Sequence, residues 1–171
     1  MSLIEGDLLE IKADFIVHQT NCLTVRSHGL AAVIAKKWPQ YDIYATRKAE
    51  GQRNRAVAED RGIPGSIETF DDHLVCFMAQ WRPGKIGSKY FHVYPESDPP
   101  ETTATRQQWF QSCLALLAQN LAGKAVSVAF PFRIGCGLAK GNWDVYRGMI
   151  ETWAQTNPNL TVWLVKLPGE K

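Results

Sequence analysis

An α/β fold with a mixed, largely parallel central sheet and helices on both faces is predicted by three observations. The segments VSVAF (126–130) and LTVWLV (160–165) are apolar on nearly every residue, the pattern of strands buried on both sides. Towards the end of the chain strands and helices alternate strictly, as parallel strands joined by crossover helices require. Between VSVAF and the next helix lies the glycine-rich turn PFRIGCGLAKG (131–141), whose glycines let a ligand approach the backbone while unpaired N–H groups face negative charge. The same glycines also serve a strand-to-helix turn that binds nothing.

The elements follow in chain order. LIEGDLLEI (3–11) and DFIVHQ (14–19) read as strands, and Gly29 to Trp38 as an apolar-periodic helix ended by Pro39. Tyr41 to Glu50 carries a second, shorter helical pattern. After the polar segment NRAVAEDRGIPG come the strands IETF and HLVCFMAQW. A Gly-, Pro- and Lys-bearing connection then runs from Arg82 to Pro100, with YFHVY extended inside it. Glu101 to Leu121 is the clearest helix, and Trp143 to Gln155 is the helix between the last two strands. No repeat or linker divides the 171 residues, so the reading is one domain over 1–171, able to bury roughly 70% of its extended-chain surface.

Composition narrows the partners. Nineteen Lys and Arg against seventeen Asp and Glu leave a net charge of +2, far from the excess that gripping many nucleic-acid phosphates demands, so nucleic acid is not an expected partner. The densest charged run, Arg47 to Arg61, mixes both signs and reads as a solvated surface. Four cysteines, Cys22, Cys76, Cys113 and Cys136, lack the spacing of a zinc site or disulfide framework, and neither metal nor cofactor is expected. Cys76 and Cys113 fall at buried positions of a strand and a helix, whereas Cys22 and Cys136 lie in loops. No segment reads as a signal peptide or reaches the eighteen or so apolar residues of a membrane span, which gives a cytoplasmic expectation with no membrane partner.

In open α/β sheets ligands bind beyond the carboxyl ends of the strands, and two loops meet that condition. One is PFRIGCGLAKG; the other, QTNCLTVRSHG (19–29), clusters Gln19, Thr20, Asn21, Arg26, Ser27 and His28 just after His18 and an apolar strand. Asn21 suits either a ligand contact or an Asx-turn. His18 suits either a ligand contact or a histidine satisfied at a strand end. His28 precedes Gly29 at the predicted helix start, where a neutral imidazole can take a proton from water.

Taken together, GDLLEI, VHQTNC followed seven residues later by GLAAVIAKKWP, and PFRIGCGL before a helix resemble a macro domain. The match is nearest the branch of terminal ADP-ribose glycohydrolases and ADP-ribose-1″-phosphate phosphatases and spans most of residues 3 to 166, with no family motif in 41–64 or 82–100. The resemblance implies a three-layer α/β/α fold and a ligand that is ADP-ribose or a derivative, free or as ADP-ribosylated protein. It further implies that Asp7, helped by the Leu8 backbone, accepts from the adenine amine, and that Asn21 and Gly29 face the distal ribose. Ile134, Gly135, Cys136, Gly137 and Leu138 would wrap the diphosphate, with Gln19 in the polar first loop and Phe132 in a ribose or adenosine wall.

Two departures bear on the reaction. An aspartate follows GCGL in the glycohydrolase pattern, whereas Ala139 stands here; the branch's lysine nucleophile has no match either, since Ala79 and Gln80 occupy the comparable region. Thr24 and Ser27 also replace glycines, making the first loop bulkier. One expectation is a hydrolase acting at the distal ribose, with Asn21 orienting the sugar, His28 as base and Asp144 in reserve. The other is a reader that binds ADP-ribose and leaves it intact. A Rossmann oxidoreductase is disfavoured because the glycine turn comes late and lacks GxGxxG spacing, and Cys136 as a nucleophile has no partner histidine.

Overall fold

The computed structural model describes residues Met1–Lys171. Six strands and three helices form along the chain: β1 (Ser2–Glu5), β2 (Phe15–Asn21), α1 (Leu30–Lys37), β3 (Ile67–Phe70), β4 (Leu74–Gln80), α2 (Thr103–Asn120), β5 (Ser127–Pro131), α3 (Trp143–Thr156) and β6 (Thr161–Lys166). They make one sheet of order β1-β6-β5-β2-β4-β3, parallel throughout except for the antiparallel β3–β4 edge.

Alternation along the central strands sorts the core into two layers. Val17, Val75, Phe77, Ala79, Val128 and Phe130 pack with Phe110, Leu114 and Leu117 of α2 and Ile150 and Trp153 of α3. Ile16, Leu74, Cys76, Met78 and Ala129 point the other way, onto Ile34 of α1 and onto Leu8, Leu9, Ile43 and Tyr44. The result is the three-layer α/β/α arrangement. Trp153 Nε1 donates to the Leu114 carbonyl at 2.7 Å, fastening α3 to α2. The start of α2 is closed by a reciprocal cap between Thr102 and Thr105.

Three expected elements form differently. LIEGDLLEI is a strand only to Glu5, because the Asp7 carboxylate accepts from Leu9 N and its carbonyl from Glu10 N and Ile11 N, turning the chain so that Leu8 and Leu9 enter the core. Tyr41 to Glu50 is not a helix. Asp42 Oδ1 accepts from Tyr44 N and Ala45 N, starting a single 3₁₀ turn (Tyr44–Thr46) that stops when Arg47 goes extended. YFHVY holds a 3₁₀ turn at Phe91–Val93, with the Phe91 ring 4.2 Å beneath the Arg82 guanidinium. No helix is long and apolar enough to cross a membrane.

Candidate functional site

A cleft of about 930 Å³ opens at the carboxyl ends of β2, β4 and β5. Its walls are the β2–α1 loop, the β5–α3 loop and the β4–α2 connection, which contributes Pro83, Gly84, Ser88, Tyr90 and Tyr94. The first two walls are the loops expected from the sequence; the third lies in the Gly-, Pro- and Lys-bearing stretch whose composition predicts only a connection. Its aromatic content, Tyr90, Phe91 and Tyr94 within five residues, was the available signal.

The β2–α1 loop is built around a buried asparagine. Asn21 Oδ1 accepts from Leu23 N and Thr24 N, both at 2.9 Å, and its Nδ2 donates to Thr24 Oγ1. Asn21 is thus first an Asx-turn, with its carbonyl oxygen spent on the loop. Arg47 clamps the same turn from below, donating to the Asn21 carbonyl at 2.9 Å and to that of Thr24 at 2.8 Å, over the Tyr44 ring. Tyr44 supplies its hydroxyl as acceptor for Asn21 N. Asn54 Oδ1 accepts from Val25 N and Arg26 N. The Arg47–Arg61 run is a solvated surface only in part: Lys48, Arg53 and Glu59 are exposed, but Arg47 is 7% exposed, and Glu50 binds both Arg55 and Arg61. Burial holds the Arg47 guanidinium below its ordinary pKa, and Tyr44, buried beside it, is pushed up to about 12.

The β5–α3 loop is held by its own backbone. Ile134 N, Cys136 N, Lys140 N and Gly141 N donate to Pro131, Arg133, Gly137 and Gly135 carbonyls, while Arg133, Gly135 and Lys140 adopt positive φ. Between these closures the amides of Gly135, Gly137, Leu138 and Ala139 make no hydrogen bond in the protein, and all four residues line the cleft. Unpaired amides clustered in this way are the kind of donor set that suits an anion. Gly135 must be glycine, since a Cβ would come within 3.0 Å of Gln19 Oε1 and Tyr146; around Gly137 there is only open space.

The third wall is pinned by Glu101, fully buried, which accepts from Trp81 N, Arg82 N and Arg106 Nε. Arg106 in turn reaches the carbonyls of Arg82 and Gly84. Buried charges are satisfied here by one another and by backbone. This latch was not anticipated.

Of the expected site residues, Gln19, Asn21, His28, Gly29, Phe132, Ile134, Gly135, Gly137 and Leu138 line the cleft, with Arg26 and His18 beside them. His18 is buried 3.2 Å from Cys76 Sγ, its Nδ1 has no partner, and burial lowers its pKa to about 4. His28 is exposed at the mouth. Four residues fall outside the lining. Asp7 and Leu8 lie after the edge strand β1, beyond β6. Cys136 packs half-buried against the α2/α3 core, its amide spent on Arg133 and its thiol pushed up to about 11 by burial, so the nucleophile reading gains no support. Asp144 is exposed on the first turn of α3, where Asn142 caps its amide. Cys22, expected in the loop, is fully buried, its thiol pushed up to about 12 by burial. No aspartate or glutamate lines the cleft, and no cluster of side chains suits a metal ion.

No known family model matches the chain. It is 23% identical over 155 residues, 88% of each chain, to an uncharacterized 17.5 kDa protein of the tk-vs intergenic region of Enterobacteria phage T4. Among solved structures it resembles the macrodomain of Mycobacterium tuberculosis DarG (TM-score 0.64, 16% identity, 97% of each chain) and that of Thermus aquaticus DarG (TM-score 0.63, 18% identity, 96% and 97%). It also resembles a Trypanosoma brucei macrodomain in complex with ADP-ribose, with a TM-score of 0.58 and 13% identity over 96% of this chain and 62% of the other.

Proposed function

We propose, from the premise that this chain has the macrodomain fold, that its cleft binds ADP-ribose or a derivative substituted at the distal ribose, free or attached to a protein. The observation that carries the reading is the row of unspent amides at Gly135, Gly137, Leu138 and Ala139. Four N–H donors on one cleft wall, with no carboxylate opposite, fit a diphosphate. Phe132 and Arg133 extend that wall on one side; Asn21, His28 and Gly29 close the other, where the distal ribose would sit.

The chemistry follows from what that end holds. His18 is buried and neutral, so His28, exposed at the mouth, is the imidazole placed to take a proton from a water attacking the distal ribose; the bond from that sugar to its substituent breaks, and ADP-ribose is freed together with phosphate or the protein's side chain. Asn21 acts by shaping the loop that presents His28. Asp144, outside the cleft, has no part in this assignment. A second reading, a module that binds its ligand intact, is favoured by the absence of any lining carboxylate, Ala139 included.

Calorimetry with ADP-ribose tests binding, and a well-folded protein that shows none sinks the assignment. Incubation with ADP-ribose-1″-phosphate and with ADP-ribosylated protein, following released phosphate and ADP-ribose, separates hydrolase from reader. With His28 as base, His28→Ala lowers turnover at least about a hundredfold and leaves ADP-ribose affinity nearly unchanged, because proton transfer counts in the transition state. Turnover that survives the substitution rejects this base.

A further inference from the structure

We propose that Gln19 is a specificity-determining residue whose side-chain oxygen reads a ribose hydroxyl beside the diphosphate, its direction fixed by a relay of amides that begins at Arg82. The proposal deepens the ADP-ribose reading and rests on it. Gln19 Nε2 donates to Gln80 Oε1 at 2.7 Å, and Gln80 Nε2 donates to the Arg82 carbonyl at 3.0 Å. A backbone carbonyl only accepts, so Gln80 must turn its amide nitrogen towards Arg82 and its oxygen towards Gln19. Gln19 must then offer Gln80 its nitrogen. Reversing Gln19 would set two oxygens face to face at the same short distance.

The anchor of the relay does not drift. The Arg82 carbonyl also accepts from Arg106 Nη2 at 3.1 Å, and Arg106 is paired to the fully buried Glu101. What remains at the far end is Gln19 Oε1, buried and without a partner in the protein. Gln19 lines the cleft, but this oxygen itself has almost no exposed surface and lies beneath the Gly135 turn, 3.0 Å from where a Cβ on Gly135 would stand, so a ligand hydroxyl reaches it when that turn lifts. A buried acceptor without a donor is a cost that a ligand can remove.

The chemistry of that ligand group is constrained. Phosphate oxygens are acceptors and would repel Gln19 Oε1, whereas the nearby amides of Gly135 and Gly137 would attract them. A hydroxyl donates. On ADP-ribose the hydroxyls belong to the riboses, so the wall sorts its ligand: phosphates to the glycine loop, a sugar hydroxyl to Gln19. Gln80 also lines the cleft, but its side-chain oxygen and nitrogen are both spent, on Gln19 and on the Arg82 carbonyl, so in this scheme it is a positioning residue.

The test is a ligand-and-variant cycle by calorimetry, using ADP-ribose and analogues that each lack one ribose hydroxyl against wild type, Gln19→Met and Gln80→Met. Gln19→Met should weaken ADP-ribose about tenfold, and one analogue should bind wild type and Gln19→Met within twofold of each other. Gln80→Met should weaken ADP-ribose several-fold and leave that same analogue unaffected, with unchanged melting temperature showing that the fold is kept. Equal losses for ADP-ribose and every analogue would mean that Gln19 only packs or holds a water, and the proposal falls. Unchanged ADP-ribose affinity in Gln19→Met overturns it too, with the ADP-ribose reading left standing. A wild type that binds neither ADP-ribose nor any analogue removes both.

Discussion

Between Asn21 and Gly29 the chain is tied down by side chains that come from elsewhere: Arg47 on two carbonyls, Tyr44 on Asn21 N, and Asn54 on two further amides. Across the cleft, between Phe132 and Gly141, the loop closes on its own carbonyls, and the amides of four cleft-lining residues are left unpaired. The first loop is therefore shaped by the protein's own side chains, and its residues contribute to folding. The second keeps its donors unspent. Substitutions should register as lost stability on one side and as lost affinity on the other.

The largest expected effect lies under the first loop. Arg47→Met removes a buried guanidinium from two buried carbonyls and should cost about 3 to 4 kcal/mol in urea unfolding, since each stranded carbonyl costs about 1 to 3 kcal/mol. Arg47→Lys keeps the charge but not the two-pronged geometry and should recover only part of it. A loss below about 1 kcal/mol in Arg47→Met would mean that the loop is not held from below.

Gly137 is the opposite case. Its φ is not positive and no atom stands near a would-be Cβ, so the fold itself does not need glycine there. Gly137→Val should leave the melting temperature within about 2 °C and weaken ADP-ribose by roughly a hundredfold, the loss of one or two amide–phosphate bonds at about 1.5 to 3 kcal/mol each. Undiminished affinity would assign this turn to structure alone.

The contrast also explains what could be read in advance. Both loops were visible because each follows an apolar strand with a local signal, glycines in one and a polar cluster in the other. The strands VSVAF and LTVWLV and the helices α2 and α3 were visible because their patterns are local too. Arg47 was not, because nothing near it in sequence distinguishes it from Arg53 or Arg55; its burial depends on carbonyls 23 and 26 residues away. Glu101 likewise reads as the start of a helix, and only the fold brings it to Trp81 and Arg82. Asp7 and Asp42 show the converse: short-range side-chain capture ended a strand and a helix that periodicity alone would have continued.

The smallest expected effect sharpens the contrast by proton instead of by substitution alone. His18 lies on the strand that leads into the first loop, and burial lowers its pKa from an ordinary 6.5 to about 4. The unfolded chain therefore binds a proton that the folded chain refuses between those values. Stability from this group is fully present above pH 6.5 and is lost as pH falls towards 4. From pH 7 to pH 5 the loss should be about 2 kcal/mol, at 1.36 kcal/mol per unit of differential binding. Asp14, held low by Ser127, and Glu50, held low by Arg55, act in the same direction but at lower pH, because carboxylates titrate beneath this window. Urea unfolding of His18→Leu at pH 7 and pH 5 isolates the term. The variant should show almost none of the wild-type decline, and an equal decline in both would place the proton on another group.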